Sequence, residues 1–196
     1  MRKKQTGVRL LAALLLAVLP VFLFAGCGSS KDPVLATYKD TEITRSLVDY
    51  QKETMQQLNG AAEVSDKEAV DELLINNIML DEAETRGLSV SQEEIDAMLQ
   101  SQHDNYESYE EIRAIIDDYC KEQDLTTEQY FAVLEEQVPR SILRQKLRDA
   151  LGQEYCAEHG LEFTKVNPPQ EMTDYVDAYL DGLLDTYSAY ITYNID

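Results

Sequence analysis

Twice in the middle of this chain a serine stands three places ahead of a glutamate, just before a run of apolar residues spaced three and four apart. Ser65-Asp66-Lys67-Glu68 and Ser91-Gln92-Glu93-Glu94 are capping boxes, in which the serine hydroxyl and the glutamate satisfy orphan backbone N–H groups reciprocally. Each box therefore predicts a helix start. After the first, Val70, Leu73, Leu74, Ile78, Met79 and Ala83 repeat on one face, Ile75 and Leu80 widen it, and Gly87 supplies a left-handed stop after Arg86. So wide an apolar arc predicts that this helix is central to the core. At the second box Val90 and Ile95 take the two positions of a hydrophobic staple.

The same periodicity predicts helices on either side. Leu47, Tyr50, Met55 and Leu58 share a face behind a Thr44 or Ser46 cap, and Asn59-Gly60 ends that helix. Tyr109, Ile112, Ile115, Ile116, Tyr119 and Cys120 mark another, beginning near Ser108. Thr126-Thr127-Glu128-Gln129 opens the next, which carries Tyr130, Leu134, Val138, Ile142, Leu147, Leu151 and Tyr155 as far as Gly160. Pro139 lies inside that pattern and predicts a kink or break, because it removes one backbone hydrogen bond and clashes with the preceding turn. Asn167-Pro168-Pro169 is a stiff linker before a last helix through Met172, Tyr175, Val176, Tyr179, Leu180, Leu183 and Leu184.

Strand signals are confined to the two ends of this region. Val34 to Tyr38 and Glu42 to Thr44 read as short strands around a polar turn, and the β-branched and aromatic stretch from Tyr187 to Asp196 favours a third. A lone strand cannot leave its N–H and C=O groups unmet in a packed domain. The C-terminus is therefore expected to return to the N-terminus. The predicted fold is mainly α, a multi-helix domain with a small β-sheet formed by an N-terminal hairpin and a C-terminal strand.

The first residues carry a different kind of signal. Arg2, Lys3, Lys4 and Arg9 surround the start of an apolar run from Leu10 to Phe24. That run is short of the about 20 apolar residues a transmembrane helix needs. Phe24-Ala25-Gly26-Cys27 then looks like a bacterial lipobox, with Phe24 in place of the usual leucine. The expected organisation is a lipoprotein signal peptide over 1–26, a lipidated tether over 27–33 and a single helical domain over 34–196. Cys27 would become the mature N-terminus and carry the lipid, holding the protein at the extracytoplasmic face of the cell membrane by its acyl chains. Loss of the leader removes four cations and no acid, so a formal charge of −20 falls to −24. Such a balance repels phosphate, and no nucleic-acid partner is expected. The acids are scattered along amphipathic segments, as on a solvated surface.

Groups for catalysis are sparse. The chain has two histidines, His103 and His159, and lacks GxSxG, HExxH and Gly-rich phosphate-loop patterns. Cys156 and His159 stand about a turn apart, but only Cys120 and His103 remain to complete a four-ligand set, so neither metal nor cofactor is expected. Cys120 and Cys156 lie on separate predicted helices and are read either as a disulfide or as two buried free thiols. Function through binding would use adaptable apolar side chains, and Met55, Met79, Met98, Tyr175 and Tyr179 are the candidates. The same residue types serve equally well as ordinary core.

Three stretches together resemble the N-terminal domain of the SurA-like periplasmic chaperones and the related PrsA foldases. The first is the hairpin from Val34 running into Ile43-Thr44-Arg45-Ser46 and a helix; the second runs from Asp71 to Asp96, and the third from Leu125 to Leu151, with Arg140, Arg144, Gln145 and Lys146. In the second, a leucine-rich helix, an acidic-alanine turn, an Arg-Gly stop and a Val-Ser-x-Glu-Glu-Ile restart follow in that order. The resemblance implies a chaperone-like domain that binds unfolded or partly folded exported proteins. Family members usually insert a parvulin-type prolyl isomerase of roughly a hundred residues, for which Gly160 to Gln170 leaves no room, so isomerase activity is not carried over. The other reading is an envelope adaptor or assembly lipoprotein with one dedicated partner.

Overall fold

The computed structural model describes residues 32–195 apart from 59 and 61. The expected leader and Cys27 lie outside these residues. Along the chain come strands β1 (Val34–Tyr38) and β2 (Thr41–Thr44), then helices α1 (Arg45–Leu58), α2 (Asp66–Thr85), α3 (Gln92–Ser108) and α4 (Glu110–Glu122). Helices α5 (Thr127–His159) and α6 (Gln170–Thr186), a 3-10 turn (Ser188–Tyr190) and strand β3 (Ile191–Tyr193) complete the fold. The described residues thus form a mainly helical protein with one small antiparallel sheet, as the sequence predicts. They group into two compact units, one of residues 89–143 and one of residues 32–88 with 144–195.

Both capping boxes form as read. Ser65 and Ser91 accept from the N–H of Glu68 and Glu94, whose carboxylates accept in return from the serine N–H groups. A third reciprocal pair opens α5, where Gln129 N–H donates to the Thr126 hydroxyl at 3.1 Å and Thr126 N–H donates to Gln129 Oε1 at 2.8 Å.

In the unit of residues 89–143, α3, α4 and the first part of α5 enclose Ile112, Ile116, Cys120, Tyr130, Phe131, Leu134 and Val138. Burying each such side chain contributes about 1.5–3 kcal/mol. That scale explains a departure from the sequence reading: α5 runs unbroken through Pro139. A proline inside a helix costs about 3 kcal/mol, and the fully buried Leu134 and Val138 just before it offset that penalty only if the helical register continues.

The other unit is built around α2, whose Ala69, Val70, Leu73, Leu74, Ile75, Ile78, Met79 and Ala83 are all buried against α1, α6 and β1. The strand order is β2-β1-β3. Both pairings are antiparallel, with Ala36, Thr37 and Tyr38 opposite Tyr193, Thr192 and Ile191. The chain's last strand therefore does return to its first. Asn194 N–H donates to the Leu35 carbonyl at 2.7 Å and Lys39 N–H to the Tyr190 carbonyl at 3.0 Å, extending the seam beyond the ladder. Residues 188–190 form a 3-10 turn instead of strand. The hairpin has a two-residue turn, Lys39-Asp40, with Lys39 at φ 50° in the place glycine usually takes.

Candidate functional site

Carboxylates on α2 gather tyrosines from β1 and from the C-terminal segment. Near its C-terminal end Asp81 accepts from the Tyr38 hydroxyl and pairs with Lys39 Nζ at 2.6 Å, while that ammonium lies within 6 Å of the Tyr38 and Tyr190 rings. One residue on, Glu82 accepts from Tyr179 at 2.6 Å, Tyr187 at 3.0 Å and Arg86 Nε at 2.8 Å. The Arg86 guanidinium also reaches Glu154 at 2.7 Å and the Tyr179 hydroxyl at 2.8 Å. A turn from the other end of α2, Asp71 accepts from Tyr193 at 2.8 Å.

Burial and these acceptors shape the titration of the whole set. Desolvation, then the hydrogen bond to a carboxylate, pushes the phenols of Tyr38, Tyr179, Tyr187 and Tyr193 up. Desolvation opposes ionisation of Asp81 and Glu82 too. Their donors outweigh it, Lys39 and Tyr38 for the first and Tyr179, Arg86 and Tyr187 for the second, and both carboxyls are held below their usual range.

This network binds the C-terminal segment to α2, so Tyr179 is a structural tie with its hydroxyl already engaged. The other candidates fall in different places. Met79 is 1% exposed and belongs to the core of α2, which leaves it no surface to offer a ligand. Met55 is half-buried on α1. Met98 is half-buried on α3 and packs against the core of residues 89–143. Tyr175 is half-buried beside the Tyr155 ring, 5.3 Å between centroids, and Tyr155 stacks on the exposed His159 at 4.1 Å.

Around the buried core of residues 89–143 lies a margin of partly covered apolar side chains that includes Ile95, Met98, Leu99, Tyr106, Tyr119 and Ile142. Beyond it Tyr109 and Ile115 are exposed. His103, read from the sequence only as a possible ligand, stacks on Phe131 at 3.8 Å. An exposed imidazole lid over an aromatic core has no local sequence signal, because its partner lies on another helix. Gln102 beside it is 5% exposed, and its Oε1 lacks a hydrogen-bond partner.

Cys120 and Cys156 are both buried free thiols. Burial in the Tyr130 cluster, then the Asp117 charge, raises the Cys120 pKa, which disfavours the thiolate a nucleophile needs. Cys156 packs its sulfur 3.6 Å from that of Met172. Among the described residues no group of three or more His, Cys, Asp or Glu is placed to hold a metal, and no helix is long and apolar enough to cross a membrane.

The described residues are mainly helical, with β3 paired to β1 in one unit and a margin of half-covered apolar side chains in the other. The class comes from a family match, which points to a chaperone-like domain. The model described as the SurA-like N-terminal domain matches residues 1–148, and the chain belongs to that family. No match to a prolyl isomerase domain accompanies it. No curated protein matches the chain, and neither does any solved structure.

Proposed function

We propose that the protein is a membrane-anchored, extracytoplasmic chaperone-like protein that binds unfolded or partly folded exported polypeptides through apolar surface and performs no catalysis. The carrying observation is the margin of half-buried apolar residues around the core of 89–143, in a chain of the SurA-like N-terminal family. Partly covered apolar side chains suit such clients, since they gain by further burial without reading a sequence. Met98 and Leu99 on α3 are the residues we assign to this surface, and the Tyr175, Tyr155 and His159 rings form a second, aromatic platform. The segment between α5 and α6, residues 160–169, supports a binding role because it is far shorter than an isomerase domain. The anchor is the acylated Cys27, and Cys27→Ala would shift the protein from membrane to soluble fractions.

The test is refolding of several unrelated proteins in the presence of the fragment Ser29–Asp196. Suppressed aggregation of most of them is the expected result, weakened in Met98→Ser and Leu99→Ser and unaccompanied by faster proline-limited refolding. No effect on any client, with one stoichiometric partner recovered from the envelope instead, would replace the chaperone with a dedicated adaptor.

A further inference from the structure

Charge is denser on one unit: residues 32–88 and 144–195 hold 22 Asp and Glu against 9 Lys and Arg, a formal −13 over 109 residues, and residues 89–143 carry almost as much over 55. In residues 32–88 and 144–195 many acids are matched: Asp66 pairs with Arg45 and Lys52, Asp149 with Lys165, Glu154 with Arg86 and Asp177 with Arg148. Residues 89–143 hold fourteen Asp and Glu against Arg113, Lys121 and Arg140, a formal charge of −11 that internal pairing cannot remove. Helix α4 concentrates the excess, with Glu110, Glu111, Asp117, Asp118 and Glu122 against two cations. One of these cations, Arg113, is turned to the carbonyls of Tyr106 and Glu107.

The excess borders exposed hydrocarbon. Ile115 on α4 is 39% exposed, and helical spacing sets Glu111 one turn before it, Asp118 one turn after it and Glu122 two turns after it, with half-buried Tyr119 beside it. Glu111, Asp118 and Glu122 are exposed, and among the described residues no cation pairs with them. Ile115 and half-buried Tyr119, framed by unneutralised carboxylates, form a face that repels acidic chains and attracts basic ones before any apolar contact forms.

We infer that the outer face of α4 docks client segments that carry lysine or arginine among apolar residues, so that the protein selects cationic unfolded polypeptides. This inference rests on the polypeptide-binding reading and names its client class.

The experiment uses the full chain in nanodiscs of zwitterionic lipid and two unstructured fluorescent peptides of identical apolar content, one rich in lysine and one in glutamate. Anisotropy titrations are expected to show the lysine peptide bound about tenfold more tightly at low salt, with the preference shrinking as salt screens it. Combined Glu111→Gln, Asp118→Asn and Glu122→Gln should cut the preference severalfold. Ile115→Ser should weaken binding of the lysine peptide, and a control of equal charge change on the other unit, Glu42→Gln with Glu53→Gln and Asp185→Asn, should leave the preference intact. Equal binding of both peptides, or a preference that survives the α4 substitutions, overturns the inference while the chaperone reading stands. Failure to bind either peptide overturns both.

Discussion

Glu82 accepts hydrogen bonds from Tyr179 and Tyr187, which lie 97 and 105 residues away in the chain, and from its own helix neighbour Arg86. Its side chain is only 12% exposed, so removing the carboxylate leaves a guanidinium and two phenols with little water to replace it. Glu82→Ala should therefore cost about 2–4 kcal/mol, where an ordinary surface substitution stays within about 0.5 kcal/mol. Glu82→Gln, which keeps an acceptor oxygen, should recover part of that loss, and Tyr179→Phe alone should cost about 1 kcal/mol. Urea unfolding followed by far-UV circular dichroism measures all three. An alanine variant as stable as the parent would show that these bonds merely decorate the surface. Nothing in the sequence singles Glu82 out from the other acids of its helix. What distinguishes it is long-range, which is why tyrosines such as Tyr179 read equally well as ligand-binding side chains.

Two glycines inside helices make opposite predictions at the scale of the element. Gly152 is buried in α5, and a Cβ there would lie 2.9 Å from Phe163 Cε2 and 3.2 Å from Met172 Sδ. Gly182 is exposed in α6, and a Cβ there would meet nothing within 4 Å. Alanine is the better helix former by about 1 kcal/mol, so Gly182→Ala should raise the melting temperature. At Gly152 the same gain is opposed by displacement of a packed ring, an overpacking cost of about 1–3 kcal/mol, and the melting temperature should fall. Limited proteolysis at Lys165 should also quicken, because Phe163 helps hold residues 160–169 on α5. Stabilisation by both substitutions would mean that this segment is not packed as described. The elements themselves were largely legible, since a capping box at Ser65 or Ser91 is a local code read over four residues. Pro139 misleads a sequence reading because its penalty is local while the burial of Leu134 and Val138 that outweighs it is tertiary. Val48 is fully buried in α1 although the apolar spacing of that helix points to a face through Leu47 and Tyr50. Met79 and Met98 looked alike as candidates, and only packing separates a core residue from one at its margin.

At the scale of the whole molecule, the side-chain seam that ties Tyr38 and the segment from Tyr179 to Tyr193 onto α2 is a set of proton-dependent bonds, and it sets limits on stability at both ends of the pH range. Asp81 and Glu82 titrate lower in the folded protein than their unfolded references of about 3.9 and 4.3. The folded state then binds fewer protons than the unfolded chain, and their contribution, complete above those references, is lost as pH falls through the folded values. The phenols run the other way. Tyr38, Tyr179, Tyr187 and Tyr193 are all raised above the ordinary value of about 10, so what they contribute is complete below it and is lost as pH rises through the folded values. Stability should therefore hold a plateau between about pH 5 and 9 and fall on both sides. Lysines also lose charge between pH 9 and 11, in parent and variant alike, so the seam is read from the difference between their alkaline limbs. Phenylalanine at Tyr179, Tyr187 and Tyr193 together should lower the plateau, because three hydrogen bonds are gone, yet flatten the alkaline limb, because three raised phenols no longer ionise. Urea midpoints measured from pH 3 to 12 on parent and variant separate the two effects. If the alkaline limbs superimpose, the tyrosines do not carry the closure of the C-terminal segment onto α2.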